Sequence, residues 1–364
     1  MRFIDLNQQF KLNQKKIEQA IGDVIASGDF ILGEQVKILE DNLKEYTGTN
    51  CITVGNGTDA IFVVLKALDI KEGDEVIVPS FTWVSTAEVV KLAGATPIFC
   101  DICSKTFNID LNDLKKSITK KTKAIIAVSI FGQCADLKLI ANIGKENNIV
   151  IIEDAAQSFG AQHFGNKSCS IADFSTTSFF PSKPLGCYGD GGAIFYKDNS
   201  YKKKIRSIPR HGQIGRYNYV EVGLNSRLDT IQAAILNAKL SFFDDEISMR
   251  QQIAETYEHY LGSIEEIELP FIKPHNKSVY AIYTLKLNKK FNRSEIIKFL
   301  ASKSIPTGLY YPVPLHKSKP YLSNKKLPIT DDCSERVFSL PMHPYLKDND
   351  IEEISRLLKI FFKR

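Results

Sequence analysis

The first information in this sequence is what it lacks. Its seven cysteines stand at 51, 100, 103, 134, 169, 187 and 333, an odd number with no regular spacing. That argues against a disulfide framework and fits thiols kept reduced in the cytosol. Cys100 and Cys103 are one close pair, but no second pair or histidine cluster follows to complete a tetrahedral zinc site, so no metal is expected. There is no apolar run of about 18 residues, which argues against a membrane span. The opening MRFIDLNQQF has no apolar leader segment, and the expectation is a cytoplasmic chain. Basic residues form no stripe: 47 Lys and Arg are interleaved with 42 Asp and Glu for a formal charge of +5. The short KKTK and KKKIR runs read as solvated helix faces, so nucleic acid is not an expected partner. Short repeats and long low-complexity segments are missing too. A glycine fingerprint followed about 20 residues on by an acid is also missing, which argues against a nicotinamide-dependent oxidoreductase.

What is present is a globular composition, 43% hydrophobic and 24% charged over 364 residues, long enough for two domains. Ile17, Ala20, Ile21, Val24 and Ile25 share one helical stripe, and a second helix is expected over 34–46. The middle then alternates. EVIVPS, TPIFCD, TKAIIAVSI and NIVIIEDAA read as strands, separated by the helical TAEVVKLAG, LNDLKKSIT and DLKLIANIGKEN. Such alternation specifies an α/β fold with a largely parallel sheet covered on both faces. Shorter strands are expected over 173–180 and 191–197, then helices over 226–240 and 244–261. ELPFIKPHNKS opens a new unit with SVYAIYTLKL as a strand and SEIIKFLASKS and IEEISRLLKIFF as helices. The domain expectation is a large unit over 1–245 and a small α+β unit over 246–364.

Three polar motifs fall where strands of such a sheet should end, which is where open α/β sheets bind ligands. GNGTDA, residues 55–60, has two readings: a turn whose N–H groups cradle phosphate, or an ordinary tight turn before a helix. In IIEDAAQSFG, Asp154 ends a buried strand with Gln157 just beyond. A carboxylate there either caps a helix or, given a pyridine cofactor, keeps the ring nitrogen protonated, with Gln157 donating to the ring's 3-oxygen. In SFFPSKPLGCYGDGG, Ser178 offers a hydroxyl, four glycines allow a tight path near a ligand, and Lys183 is a surface charge, a phosphate contact or a covalent catalyst.

Together with FIDL, GDFILGEQV, GDEVIVPSFTWVSTAEVV, RHGQ, LNSRLDTIQAAIL and SLPMHPYL, these motifs resemble the DegT/DnrJ/EryC1/StrS family of sugar aminotransferases over essentially the whole chain. The resemblance implies pyridoxal-phosphate fold type I, the aspartate-aminotransferase fold. It implies pyridoxal 5′-phosphate as cofactor, cycling through pyridoxamine 5′-phosphate, with Lys183 as the Schiff-base lysine and proton carrier. Asp154 would pair with the pyridine nitrogen, Gln157 with the phenolic oxygen, and Trp83 would stack on the ring. Thr58, the Asp59 N–H and Ser178 would hold the phosphate, with Asn225 reaching across from the second subunit of a homodimer. Tyr310 and Tyr311 are substrate candidates, Arg227 is a substrate or interface cation or else pairs with an acid of its own fold, and Arg210 and His211 either contact substrate or fasten a loop beside the cofactor. His316 and His343 read as satisfied polar contacts.

Some relatives carry histidine at the lysine position and act as sugar dehydratases, whereas SFFPSK keeps Lys183 and implies transamination from L-glutamate, giving 2-oxoglutarate. The forms of the lysine loop, RHGQ and MHPYL are similar to the branch that aminates C3 of UDP-2-acetamido-2-deoxy-ribo-hex-3-uluronic acid for bacterial O-antigens. A UDP- or dTDP-linked 3-keto- or 4-keto-deoxysugar is the alternative acceptor, and a pyridoxal-phosphate-binding regulatory protein the nonenzymatic one. In GLYYPVPLHK, Tyr310 stands where that branch commonly has histidine, and a tyrosine cannot carry positive charge.

Overall fold

The computed structural model describes residues 1–363. Helix α1 (Leu6–Ser27), capped by the Asp5 carboxylate on the Gln8 N–H, and α2 (Glu34–Thr47) precede the sheet. The alternating stretch forms β1 (Asn50–Val54), α3 (Gly57–Ala67), β2 (Glu75–Pro79), α4 (Ser85–Leu92), β3 (Thr96–Cys100), α5 (Leu111–Ser117), β4 (Thr122–Val128), α6 (Leu137–Asn147) and β5 (Val150–Asp154). Strands Phe174–Ser178 and Gly192–Tyr196 complete a seven-stranded sheet. Its order is β1, Gly192–Tyr196, Phe174–Ser178, β5, β4, β2, β3. Only Gly192–Tyr196 runs against the rest.

Successive residues of a strand point to opposite faces, and the two cores show it. Ile125, Ala127 and Ile151 pack into one cluster with α2 and α6, while Ala124, Ile126 and Ile152 pack into another with α3 and α4. Both faces are therefore dry, which is why these strands read as continuous apolar runs. Each fully buried Ile, Leu or Val contributes about 1.5–3 kcal/mol.

Three further helices follow: α7 (Lys202–Ser207), α8 (Thr230–Leu240) and α9 (Phe243–Leu261). The helix expected from 226 starts at Thr230 instead, because the preceding residues are held extended by bridges of Asn225 to Arg210 and Asp229 to Ile31. A third core gathers the distal half of α9, the antiparallel strands Ile267–Glu268, Tyr283–Leu287 and Val337–Leu340, and helices Arg293–Ser302 and Asp348–Phe362. The strand expected over 278–287 is confined to Tyr283–Leu287. Residues just before it are diverted onto the loop after β4, where Val279 N–H and Ser278 Oγ both donate to Gly132 O at 3.0 Å.

Helix α9 serves both units, with Phe243 and Ile247 in the sheet's core and Ile253 and Tyr257 in the smaller one. Leu315 and Leu327 return to the large unit's core, so one cut in the chain does not separate the two cores. Among the described residues, no helix is long and apolar enough to cross a membrane.

Candidate active site

Pairing register brings the first and third motifs together. Val54 lies opposite Gly192, and Gly192 opposite Ser178, so the turn after β1 emerges beside the end of Phe174–Ser178. Contact there is close enough to require glycine. A Cβ on Gly57 would lie 2.8 Å from Ser178 Cβ, and one on Gly192 would lie 2.5 Å from Asn56. The N–H groups of Gly57 and Thr58 precede the first helical hydrogen bond of α3 and open this cradle. Thr58 and Ser85 hydroxyls meet at 2.7 Å, and Ser178 Oγ accepts the Phe180 N–H at 3.2 Å. The Asp59 N–H, expected on phosphate, donates to the cap Asn56 Oδ1 at 2.8 Å.

At the end of β5, Asp154 is 7% exposed and its Oδ1 accepts the Ala156 N–H at 3.0 Å. Burial pushes its carboxyl above the usual range, opposed by the Ala156 N–H, the nearby Lys183 ammonium and Thr86. Burial likewise pushes Lys183 down, opposed by Asp154. The loop presenting Lys183 is stitched by its backbone: Lys183 N–H donates to Phe180 O and Cys187 N–H to Phe179 O, each at 2.8 Å. A second lysine locks it, since Lys239 Nζ, from α8, donates to Gly186 O at 2.7 Å and lies 4.2 Å over the Tyr188 ring. The sequence reading missed Lys239, which falls among the apolar residues of an ordinary helix.

Gln157 is 7% exposed, with Oε1 accepting the Phe131 N–H and Nε2 donating to the Tyr311 hydroxyl, both at 2.8 Å. Tyr311, a substrate candidate, is buried with its hydroxyl on Gln157 Nε2 and its ring edge-on to Phe81 at 5.3 Å. Tyr310 is half-buried between Phe3 and Phe131. Trp83, beyond the end of β2, is 63% exposed. Beneath the site, Glu153 points to the face opposite Asp154 and is wholly buried. It accepts Ser129 Oγ, Ser168 Oγ and the Cys169 N–H, each at 2.8 Å, and burial raises its carboxyl despite these donors. Its one sequence signal is an acid inside an apolar strand.

The model of the DegT/DnrJ/EryC1/StrS aminotransferase family matches residues 11–359. The chain belongs to this family. A Pseudomonas aeruginosa protein named UDP-2-acetamido-2-deoxy-3-oxo-D-glucuronate aminotransferase is 48% identical over 360 residues, covering 98% of this chain and 99% of its own. A crystal structure of a DegT/DnrJ/EryC1/StrS aminotransferase from Brucella abortus superposes with TM-score 0.95 at 37% identity, covering 99% of each chain. NtdA from Bacillus subtilis, solved with bound PMP, superposes with TM-score 0.92 at 28% identity, covering 100% of this chain and 83% of its own. The protein is accordingly a pyridoxal-phosphate-dependent transaminase of fold type I, with pyridoxal and pyridoxamine phosphate as the two cofactor states.

The donor set of this family member fits that cofactor. It offers the N–H groups of Gly57 and Thr58 with the Thr58 and Ser178 hydroxyls, a buried carboxylate, Asp154, with the half-buried Lys183 close by, and an exposed indole, Trp83. Among the described residues no cluster of His, Cys, Asp or Glu is arranged for a metal. The 225–227 stretch lies against the same chain's turn, where Gly55 N–H donates to Ser226 Oγ at 3.0 Å, while Asn225 itself stands exposed. Arg227 is half-buried and close enough to Arg210 to depress it further, after burial, Arg206 and the opposing Glu40. His211 is exposed, and its N–H fastens the loop to Leu224 O at 2.8 Å. His316 is buried on Ser80 Oγ at 2.7 Å, and His343 Nδ1 accepts the Tyr345 N–H at 3.3 Å.

Proposed function

We propose that this protein transfers the amino group of L-glutamate to C3 of UDP-2-acetamido-2-deoxy-3-oxo-D-glucuronate, in a pathway to bacterial surface polysaccharide. The observation that carries this reading is the near-full-length 48% identity to the Pseudomonas aeruginosa aminotransferase, with the Lys183–Asp154 pair in the same cleft.

When bound, pyridoxal phosphate supplies the electron sink that stabilises the carbanion at the reacting carbon. Lys183 Nζ takes the α-proton from glutamate and later delivers a proton to the sugar carbon; its depressed proton affinity favours the free amine this requires. Asp154 would hold the proton of the pyridine nitrogen, and Gln157 would donate an N–H to the phenolic oxygen. Thr58, Ser178 and the N–H groups at the start of α3, Gly57 to Asp59, would hold the phosphate, and the Trp83 indole would cover the ring face. Arg227 and Tyr310 face the sugar nucleotide.

The same reading makes the protein a homodimer in which Asn225 reaches the partner's phosphate. The exposed apolar residues Ile214, Tyr217, Tyr219, Val220 and Val222, between 54% and 83% accessible, support such an interface. Free, mostly buried cysteines support a reducing, cytoplasmic setting.

Incubation with glutamate and a panel of UDP- and dTDP-linked 3-keto and 4-keto sugars, with product mass and amine position determined, tests the assignment. The 3-amino uronate should dominate. A preferred deoxy 4-keto sugar would move the substrate while keeping the chemistry, and cofactor binding without any amino transfer would favour the regulatory reading.

A further inference from the structure

Gln157 is gripped at both ends of its amide, and each grip comes from an aromatic residue in left-handed backbone. Phe131 has φ 58° and Tyr311 has φ 54°. Such backbone is strained for a bulky residue and persists only where its surroundings enforce it. On the Phe131 side, Ile130 N–H donates to Asn108 Oδ1 at 3.0 Å and Ile282 N–H to Phe131 O at 3.4 Å. On the Tyr311 side, Leu315 N–H ties the following segment to Ser80 O at 3.1 Å. The Phe131 and Tyr311 rings lie parallel, 9° between planes and 6.4 Å between centroids.

These contacts decide which way the amide points. A backbone N–H can only donate, so the atom facing Phe131 must be the amide oxygen, and the NH₂ must face Tyr311. Nε2 carries two hydrogens and has one acceptor among the described residues, the Tyr311 hydroxyl. One buried N–H is therefore left for a ligand, and its direction is set by the hydroxyl that occupies the other.

We propose that Tyr311 is a positioning residue: its hydroxyl fixes the Gln157 carboxamide so that the second N–H meets the phenolic oxygen of the bound cofactor, and it does not itself contact the sugar. This rests on the cofactor reading given above. Without the hydroxyl, the carboxamide turns about its last side-chain torsion and the donor loses its aim. A hydrogen bond to the ionised phenolic oxygen favours that ionised form, so its loss moves the acid–base midpoint of the bound cofactor upward. Asp154 and Tyr310 are the other titratable groups beside Tyr311, and Tyr311→Phe keeps both of them and removes no charge present at neutral pH.

The experiment is an absorbance titration of the cofactor-loaded protein for wild type, Tyr311→Phe, Gln157→Ala and the double variant, with KM for the sugar nucleotide measured in parallel. Tyr311→Phe should raise the midpoint by about 0.5–1 pH unit, the worth of one hydrogen bond. The same substitution should have no effect in the Gln157→Ala background, and KM should be unchanged. A midpoint unmoved by Tyr311→Phe, a shift that persists without Gln157, or an effect confined to KM would overturn the inference. A wild-type protein that shows no cofactor band would instead sink the cofactor reading beneath it, so the two failures are distinguishable.

Discussion

Gly192 opposes Asn56 so closely that a Cβ on the glycine would lie 2.5 Å from the asparagine's carbonyl carbon and oxygen. The strand start and the α3 cap are thereby packed backbone to backbone, and the cradle proposed for the cofactor's phosphate takes its shape from that contact. Gly192→Ala must push the two apart, at about 1–3 kcal/mol of stability. Thermal unfolding gives the cost. The only tryptophan of the chain, Trp83, reports cofactor affinity through its fluorescence, and weaker binding is expected. An alanine variant with wild-type affinity would show that the contact does not shape the cradle.

Lys183→Ala should leave the fold intact, because the loop is held by backbone bonds and by Lys239 rather than by the Lys183 side chain. Transamination should fall by at least about 10²–10⁴-fold, the worth of a positioned proton-transfer group. Borohydride reduction followed by peptide mapping should tag Lys183 in the wild type and nothing in the variant. Normal turnover by the variant would remove Lys183 from the reaction.

Glu153→Ala should unfold the protein at markedly lower temperature, with a loss of about 3 kcal/mol or more. It strands the buried donors of Ser129, Ser168 and Cys169, each costing about 1–3 kcal/mol when unpaired. Glu153→Gln, which keeps acceptor capacity, should lose less. Equal melting temperatures for the two variants would contradict this account.

Lys239 gives a pH signature. Burial pushes its ammonium down to about 8, with Glu246 and Cys187 opposing. Between that value and the unfolded value near 10.5, the unfolded chain holds the extra proton, so stability rises with pH. Denaturant unfolding of wild type should gain about 2 kcal/mol over Lys239→Met between roughly pH 8 and 10, and parallel curves for the two proteins would refute it.

The order of strands and helices through β5 was legible because a sheet dry on both faces writes itself as apolar runs of strand length. Where tertiary contacts overrode local preference, the sequence misled: 226–229 is extended by bridges to Arg210 and Ile31, and 278–282 is captured by the loop at Gly132. Motif residues at strand ends could be named from the chain alone. Glu153, Lys239 and the grip on Gln157 could not, since each acts on groups distant in sequence, such as Tyr311 on Gln157 and Lys239 on Gly186.

Helix α9 runs unbroken for 19 residues, about 28 Å, from Phe243 in one core to Leu261 in the other. A hinge inside it would have to break helical hydrogen bonds and expose apolar side chains at the same moment. The smaller unit is therefore mounted on a rigid strut whose first turns are anchored in the larger core by Phe243 and Ile247, so the strut itself is not a place where the two units can bend apart.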